Sequence, residues 1–185
     1  DNIPVKFIKP VVDDITSPIV HIINSSIDKE MYPDSWKIAR VCPVPKVDNP
    51  IKAEEFRPIS ILPVLSKIYE KVILRQLSEH IESTAVYNNT QSGFRKGHST
   101  QTMLLKIRDD IQKGMNRNEI TMAVLIDYSK AFDTIDHEIL LKKLVTLNFS
   151  KSSISIIMSY LTNRQQYVQV DDALSSCLPI FFGVP

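Results

Sequence analysis

A single carboxylate at the end of an apolar run is the residue in this sequence best placed to do chemistry. Residues 124–126 are apolar and partly β-branched, and Asp127 follows them directly, a pattern typical of a buried strand that ends in a charge. Because an unpaired carboxylate is costly to bury, it needs a partner, and Lys130 or a divalent metal ion would supply one. A purely structural aspartate that caps a turn is the alternative.

The same pattern, an aspartate directly after a strand, is also found in receiver domains and in haloacid-dehalogenase-type phosphatases. The phosphatases need a second acid two residues after the first, and Ser129 occupies that position. This residue, together with the basic loops described next, disfavours both interpretations.

Two cations, Lys46 and Arg57, are expected to lie close together. Residues 36–46 alternate in polarity and end in two prolines, which predicts a half-buried strand at the edge of a sheet or leaving it. Residues 56–60 predict its partner, so that both cations lie near the tip or on one face of a hairpin-like pair. Neighbouring cations repel unless an anion lies between them, which predicts a phosphate site. Two solvated loop cations are the alternative.

The loop at residues 87–100 interrupts all periodicity and holds two of the four glycines of the chain, with Phe94, Arg95 and Lys96 among them. Such a loop suits close backbone approach to a nucleic-acid strand and stacking of a ring on a base. His98 lies in the same loop without any Ser or Cys nucleophile motif, so it is interpreted as a loop or cap residue.

Helical and strand patterns alternate around these residues. Helices are predicted to begin at Ser17-Pro18, at Pro63, at Thr100 (with Met103, Leu104, Ile107 and Ile111 inward, ending at Gly114), at Asp136 and at Ser152 or Ser153. Strands are predicted at residues 120–127, 166–170 and 178–182, with Asp171-Asp172 in a turn between the last two.

Composition indicates an ordinary globular protein of 185 residues, with 43% hydrophobic and 23% charged residues. Residues 36–114 hold thirteen basic and eight acidic side chains, a local charge of +5 that favours a polyanionic partner, although a solvated helix face would explain it too.

Two cysteines are too few for a disulfide framework or a zinc site and indicate a reducing, intracellular setting. No membrane-spanning run or signal peptide is visible. The start at Asp1 and the stop at Pro185, straight after a strand-like run, predict a fragment.

Four sequence blocks, in this order, resemble the reverse transcriptase of non-LTR (LINE-type) retrotransposons over residues 33–185. They are WKIARVCPVPK with FRPISILPVLSKIYEKVI, then QSGFRKGHST, then LIDYSKAFDTIDHEILLKKL, then SYLTNRQQYV ending in GVP. The resemblance implies an α+β right-hand polymerase fold: an N-terminal helical lead-in at residues 1–32, fingers at 33–115 and an incomplete ferredoxin-like palm at 116–185. The implied activity is RNA-directed DNA polymerisation by a two-metal mechanism.

The resemblance also assigns roles to residues. Asp127 would be the catalytic aspartate that bridges two Mg²⁺ ions, and the backbone carbonyl of Tyr128 would be a further metal ligand. Phe132 would be the steric gate that excludes a 2′-OH, and Lys46 and Arg57 would grip the triphosphate. The residues implied along the template are Gln91, Gly93, Phe94 and Arg95.

The sequence departs from the family pattern after Gly183-Val184-Pro185, where the family continues into Gln-Gly-Ser and a hairpin with paired aspartates. Asp171-Asp172 precedes that block and is rejected as a substitute, while Phe56 for Tyr and Asn148 for Gly are minor departures. The chain by itself is therefore expected to be inactive. The implied partners are an RNA template, a DNA primer and deoxynucleoside triphosphates, with no membrane, in a ribonucleoprotein of nucleus and cytoplasm. The alternative is a non-catalytic, nucleic-acid-binding remnant of a decayed element.

Overall fold

The computed structural model describes residues 3–84 and 86–184, and the chain divides into two units. The first comprises Asp1–Gln76 and Lys130–Pro185, and the second comprises Leu77–Ser129. The described residues include helices and one mixed sheet, so the chain has a mixed α/β architecture. None of the described helices is long and apolar enough to cross a membrane.

The regular elements have the following bounds. The α-helices are α1 (Val5–Ile8), α2 (Val12–Asp28), α3 (Val64–Ser83), α4 (Thr100–Asn116), α5 (His137–Thr146) and α6 (Lys151–Leu161). The strands are β1 (Ile38–Pro45), β2 (Phe56–Ile61), β3 (Gln165–Val170), β4 (Ala173–Leu174) and β5 (Leu178–Pro179). Short 3₁₀ turns cover Lys9–Val11, Asp34–Trp36 and Ala53–Glu55.

The sheet lies in the first unit and has the order β2-β1-β3-β4, with β5 also paired to β3. Strand β1 runs antiparallel to β2 and parallel to β3. Of the two predicted alternatives, an edge strand and a strand leaving the sheet, the second holds, because residues 38–41 pair on both sides. Pro43 and Pro45 follow that stretch and pair only with β2, which is where a strand tolerates residues that lack an N–H. The prolines thus mark the exit from the sheet, not its edge.

An aromatic cluster forms the core of the first unit. Tyr32 lies edge-on to Trp36 and Tyr69, with ring centroids 5.8 and 5.3 Å apart, and Ile23 and Ile156 complete the buried set. Edge-to-face aromatic pairs contribute about 0.5–1.5 kcal/mol each beyond the area that they bury. The cluster joins α2, α3 and α6 to the segment that leads into β1.

A charged side chain is buried beside this cluster. Arg164, which directly precedes β3, is only 1% exposed. Its guanidinium stacks on Tyr160 at 4.7 Å, and its Nη1 donates to the Tyr160 carbonyl at 3.0 Å. The Tyr32 hydroxyl donates to Glu70 at 3.4 Å. Burial, and next the charge of Glu70, raise the pKa of Tyr32 to about 12, so Tyr32 bonds as a neutral phenol at neutral pH.

Helix ends follow local capping chemistry. The prediction that Asp136 caps α5 is confirmed, since its carboxylate accepts from the Ile139 amide at 3.0 Å. The caps of α4 and α6 are Ser99 and Ser150, one to three residues before the predicted ones.

Helix α2 begins at Val12 and contains Pro18 in its interior, so the predicted start at Ser17-Pro18 is wrong. A Ser-Pro pair favours a helix start, but here residues upstream already form helix.

Three expectations about apolar segments are wrong. Residues 120–127 form no strand, and Leu104, Ile107 and Ile111 of α4 are at least partly exposed instead of inward. Both stretches belong to the second unit, where the described residues bury little apolar surface. Of the strand predicted at residues 178–182, only β5 forms.

Strand β3 is confirmed with one extra residue, and Asp171-Asp172 does lie in a turn, which leads to β4.

Candidate nucleotide and template sites

Lys46 and Arg57 lie on one face of the β1–β2 pair, which confirms the predicted pairing of their segments. Val44 is opposite Arg57, and the Lys46 amide donates to the Glu55 carbonyl at 2.8 Å one step further along the ladder. Because side chains alternate along a strand, Lys46 points to the same face as Val44 and Arg57. The two cations are therefore diagonal neighbours at the loop end of this hairpin.

The loop between the two strands is held closed by its own hydrogen bonds. The Glu55 carboxylate accepts from the amides of Ile51 and Lys52 at 2.6 and 2.9 Å, and these bonds lower the pKa of its carboxyl group. The Lys46 ammonium donates to the Glu54 carbonyl at 2.8 Å. Arg57 is exposed. The loop thus fixes the backbone at both cations. Among the described residues, an incoming anion would compete for the Lys46 ammonium with the neutral Glu54 carbonyl.

Asp127 and Tyr128 belong to the second unit and are exposed in an irregular segment. The predicted buried strand before Asp127 is wrong: Ile120 and Leu125 are 98% and 92% exposed. A strand needs a neighbour to accept and donate its ladder hydrogen bonds, and the described residues of the second unit provide none. The carboxylate itself is open to solvent, as a group that meets a ligand must be.

The oxygen donors at Asp127 suit Mg²⁺ in kind but are few in number. A carboxylate and a backbone carbonyl are the hard oxygen ligands that Mg²⁺ takes, usually together with water and substrate phosphates. Within the described residues, no three His, Cys, Asp or Glu side chains come together as a metal cluster. These donors would therefore form part of a magnesium shell, and the rest would have to come from elsewhere.

Phe132 lies in a tight turn of the first unit, just after the junction between the units. The amides of Asp133 and Thr134 both donate to the Lys130 carbonyl, at 3.0 and 3.2 Å, and Lys130 adopts a φ of 55°. The Phe132 ring is 57% exposed. A ring on a closed turn, with more than half of its surface open, can contact a bound ligand.

The predicted template residues lie together in the loop after α3, in the second unit. The Gln91 side-chain amide donates to the Gly93 carbonyl at 3.3 Å, and the Arg95 guanidinium stacks on the Tyr87 ring at 5.1 Å. Phe94 has a φ of 59°, and its ring is 89% exposed. The loop therefore presents an aromatic face next to a cation, the pairing that binds unpaired nucleotides by stacking and charge.

The predicted site residues are thus divided between the units. Lys46, Arg57 and Phe132 belong to the first unit, and Asp127 and Tyr128 belong to the second with the template loop.

Comparison with known proteins decides the family. The sequence model described as "Reverse transcriptase (RNA-dependent DNA polymerase)" matches residues 44–185. The chain belongs to the reverse transcriptase family. Every predicted site residue falls within the matched segment.

The curated relatives of this reverse transcriptase chain include three polymerases of mobile elements from Drosophila melanogaster. The RNA-directed DNA polymerase from mobile element jockey is 33% identical over 165 residues, which are 89% of this chain and 18% of that protein. The probable RNA-directed DNA polymerase from transposon BS is 32% identical over the same shares, and that from transposon X-element is 27% identical over 168 residues. The chain spans less than a fifth of the length of these relatives.

Sequence reasoning missed two residues that bear on the site of this reverse transcriptase chain. Gly183 and His137 make contacts around the Phe132 turn. Gly183 could have been flagged as a glycine that ends an apolar run, but His137 carries no local signal because its partner lies 46 residues away.

Proposed function

We propose that the protein to which this chain belongs is the RNA-directed DNA polymerase of a non-LTR retrotransposon. The observation that supports this most directly is the placement of Lys46 and Arg57 on one face of a closed hairpin, inside the segment matched by the reverse transcriptase family. In this proposal the two cations bind the triphosphate of the incoming nucleotide. Two cations on one face suit a polyphosphate because both can bond neighbouring phosphate groups, Lys46 by giving up its bond to the Glu54 carbonyl.

Asp127 and the backbone carbonyl of Tyr128 are proposed to bind Mg²⁺. When bound, the ions would stabilise the entering and leaving oxygens of an in-line displacement at phosphorus. The contribution of the chain is to present these two oxygen donors side by side along the backbone, in a solvent-exposed segment.

Phe132 is proposed to contact the sugar of the incoming nucleotide, where its ring would leave no room for a 2′-OH. Gln91, Gly93, Phe94 and Arg95 are proposed to lie along the RNA template, with Phe94 stacking on an unpaired base. The further partners are a DNA primer and deoxynucleoside triphosphates.

The finer architecture belongs to the same proposal. Residues 33–115 would be the fingers and residues 116–185 part of a ferredoxin-like palm, after a helical lead-in at residues 1–32. We also propose an intracellular protein that works as a ribonucleoprotein in nucleus and cytoplasm, as the resemblance to non-LTR retrotransposons implies.

The proposal is tested by primer extension with a longer polymerase that contains this chain. Asp127→Asn should lower the rate of deoxynucleotide addition by about 10²–10⁴-fold, because several kcal/mol of metal-based charge stabilisation are lost and each 1.36 kcal/mol is tenfold. The matched control is Asp171→Asn, which alters an exposed turn and should leave the rate unchanged.

The same assay separates nucleotide binding from chemistry. Lys46→Ala and Arg57→Ala should each reduce kcat/KM for deoxynucleotides by about 10–100-fold, the range expected for one lost charge-assisted bond to phosphate. Full activity of Asp127→Asn, or equal loss in Asp171→Asn, would contradict the proposed site.

A second candidate function is nucleic-acid binding without catalysis, as expected for the remnant of a decayed element. The exposed Phe94 ring, in the same loop as the Arg95 guanidinium that stacks on Tyr87, favours it. If the longer protein bound primed RNA but wild type and Asp127→Asn were equally unable to extend it, this second function would be correct.

A further inference from the structure

We infer that His137 and Gly183 hold the turn that carries Phe132, and that this clamp helps to set the discrimination between deoxyribose and ribose. The second half of the inference rests on the proposed function of Phe132. All the residues involved belong to the first unit.

Three hydrogen bonds tie the turn to residues 183 and 184. The Val184 amide donates to the Phe132 carbonyl at 3.1 Å, and the Gly183 amide donates to the Ile135 carbonyl at 2.8 Å. The His137 imidazole then donates from Nε2 to the Gly183 carbonyl at 2.7 Å, since a carbonyl only accepts. Both backbone groups of Gly183 are therefore bonded to the chain directly after the turn, to Ile135 and to His137.

Gly183 is the residue that permits this close approach. It is buried and has a φ of +80°, and a Cβ at this position would lie 2.8 Å from both the Cα and the carbonyl oxygen of Asp133. Those atoms are backbone, so they cannot move aside cheaply. Any side chain would push residues 183 and 184 away from the turn and break the bonds to Phe132 and Ile135.

The clamp matters because it adds a second segment to the bonds that hold the turn of Phe132. The turn closes on itself through the Lys130 carbonyl, but such a turn can tilt as a unit unless a second segment holds it. A ring excludes a hydroxyl group only if its position is held to a fraction of an ångström. His137 begins α5 directly after its cap, so its imidazole holds residue 183 from a helix rather than from a flexible loop.

The clamp is tested first in the 185-residue chain by amide hydrogen exchange. His137→Ala should speed exchange at Gly183 and Val184 by about two- to tenfold, the factor that loss of one hydrogen bond gives. His137→Gln, which keeps a side-chain donor, should restore most of the protection. His21→Ala, an exposed histidine on α2, is the matched control and should change neither amide.

The sugar effect is tested in a longer polymerase that contains this chain. His137→Ala should lower the ratio of kcat/KM for deoxynucleotides to that for ribonucleotides by about two- to tenfold, mainly through better ribonucleotide use, and His137→Gln should recover it. Gly183→Ala should lower the ratio further, or prevent folding, in which case the histidine variants decide.

Unchanged exchange and an unchanged ratio in His137→Ala would overturn the inference. A lower rate with both nucleotides and no change in their ratio would show a structural role alone and would overturn the sugar effect. If the wild type added neither nucleotide, the proposed function itself would fail, and the exchange measurement would still decide the clamp.

Discussion

Glu70 is a carboxyl group whose protonation is governed by burial more than by its cationic neighbour. Burial raises the pKa of Glu70, and the charge of Arg164 and the hydroxyls of Tyr32 and Tyr160 offset that rise only in part. Arg164 in turn is held by stacking and by a backbone carbonyl. The network around Arg164 and Glu70 thus offsets the cost of burying the Glu70 carboxylate only in part.

Because the folded state raises the pKa of Glu70, its stabilising contribution should be lost as the pH rises. The contribution is complete below the ordinary value of 4.5 and falls away as the pH passes through the raised folded value. We expect the free energy of unfolding to decrease over this window in the wild type and to be flatter in Glu70→Gln. Urea unfolding followed by Trp36 fluorescence, from about pH 4 to about pH 8, measures both.

The control for this prediction is Glu82→Gln, an exposed carboxyl on the same helix, which should keep the wild-type pH dependence. If the free energies of unfolding of the wild type and Glu70→Gln changed equally with pH, folding would not raise the pKa of Glu70, and the prediction would be wrong.

Residues differ in how far sequence alone could place them. The pairing of the segments that carry Lys46 and Arg57 was predictable because two neighbouring strand-like segments joined by a polar loop have few other ways to satisfy their backbone bonds. The burial of Arg164 and the bond from His137 to Gly183 were not, because each depends on segments that only the tertiary structure brings together. Polar pairs of that kind leave no periodic trace in the sequence.

At the scale of elements, helices were predicted better than the sheet. The backbone bonds and caps of a helix are local, so Asp136 and the apolar spacing of α3 and α5 sufficed to find them. A strand is completed only by a neighbour. The parallel pairing of β1 with β3 joins residues about 127 apart along the chain, and the same dependence explains why the apolar residues 120–126 form no strand here.

A pair of leucine variants tests this account of the elements. Leu161, at the end of α6, is 2% exposed, whereas Leu125 is 92% exposed. In the 185-residue chain, Leu161→Ala should lower the free energy of unfolding by about 2–5 kcal/mol, because it leaves a cavity. Leu125→Ala should change it by less than about 0.5 kcal/mol. Chemical denaturation of the two variants beside the wild type is the measurement.

A large loss of stability in Leu125→Ala would show that residues 120–126 pack as a strand in solution after all. An equal and small effect of both variants would instead contradict the core placed around α6.

At the scale of the whole molecule, the residues of the proposed site belong to different units: Lys46 and Arg57 to the first, and Asp127 to the second. The family could be predicted from four short sequence blocks because these preserve residue types at the proposed site. The sequence also predicts too few metal ligands in this chain, because the first carboxylate motif is present and the paired aspartates of the family are not. That shortage stays a prediction.

We therefore expect the purified 185-residue chain to show no polymerase activity by itself. With Mg²⁺, deoxynucleotides and a DNA primer on an RNA template, extension should not exceed that of its Asp127→Asn variant. The physical reason is that Asp127 and one backbone carbonyl cannot hold two ions against the mutual repulsion of two divalent charges. Gel analysis of a labelled primer measures the result, and a longer polymerase containing the chain should extend the same primer. Extension by the short chain that requires Mg²⁺ and disappears in Asp127→Asn would show that the remaining ligands are already present within it.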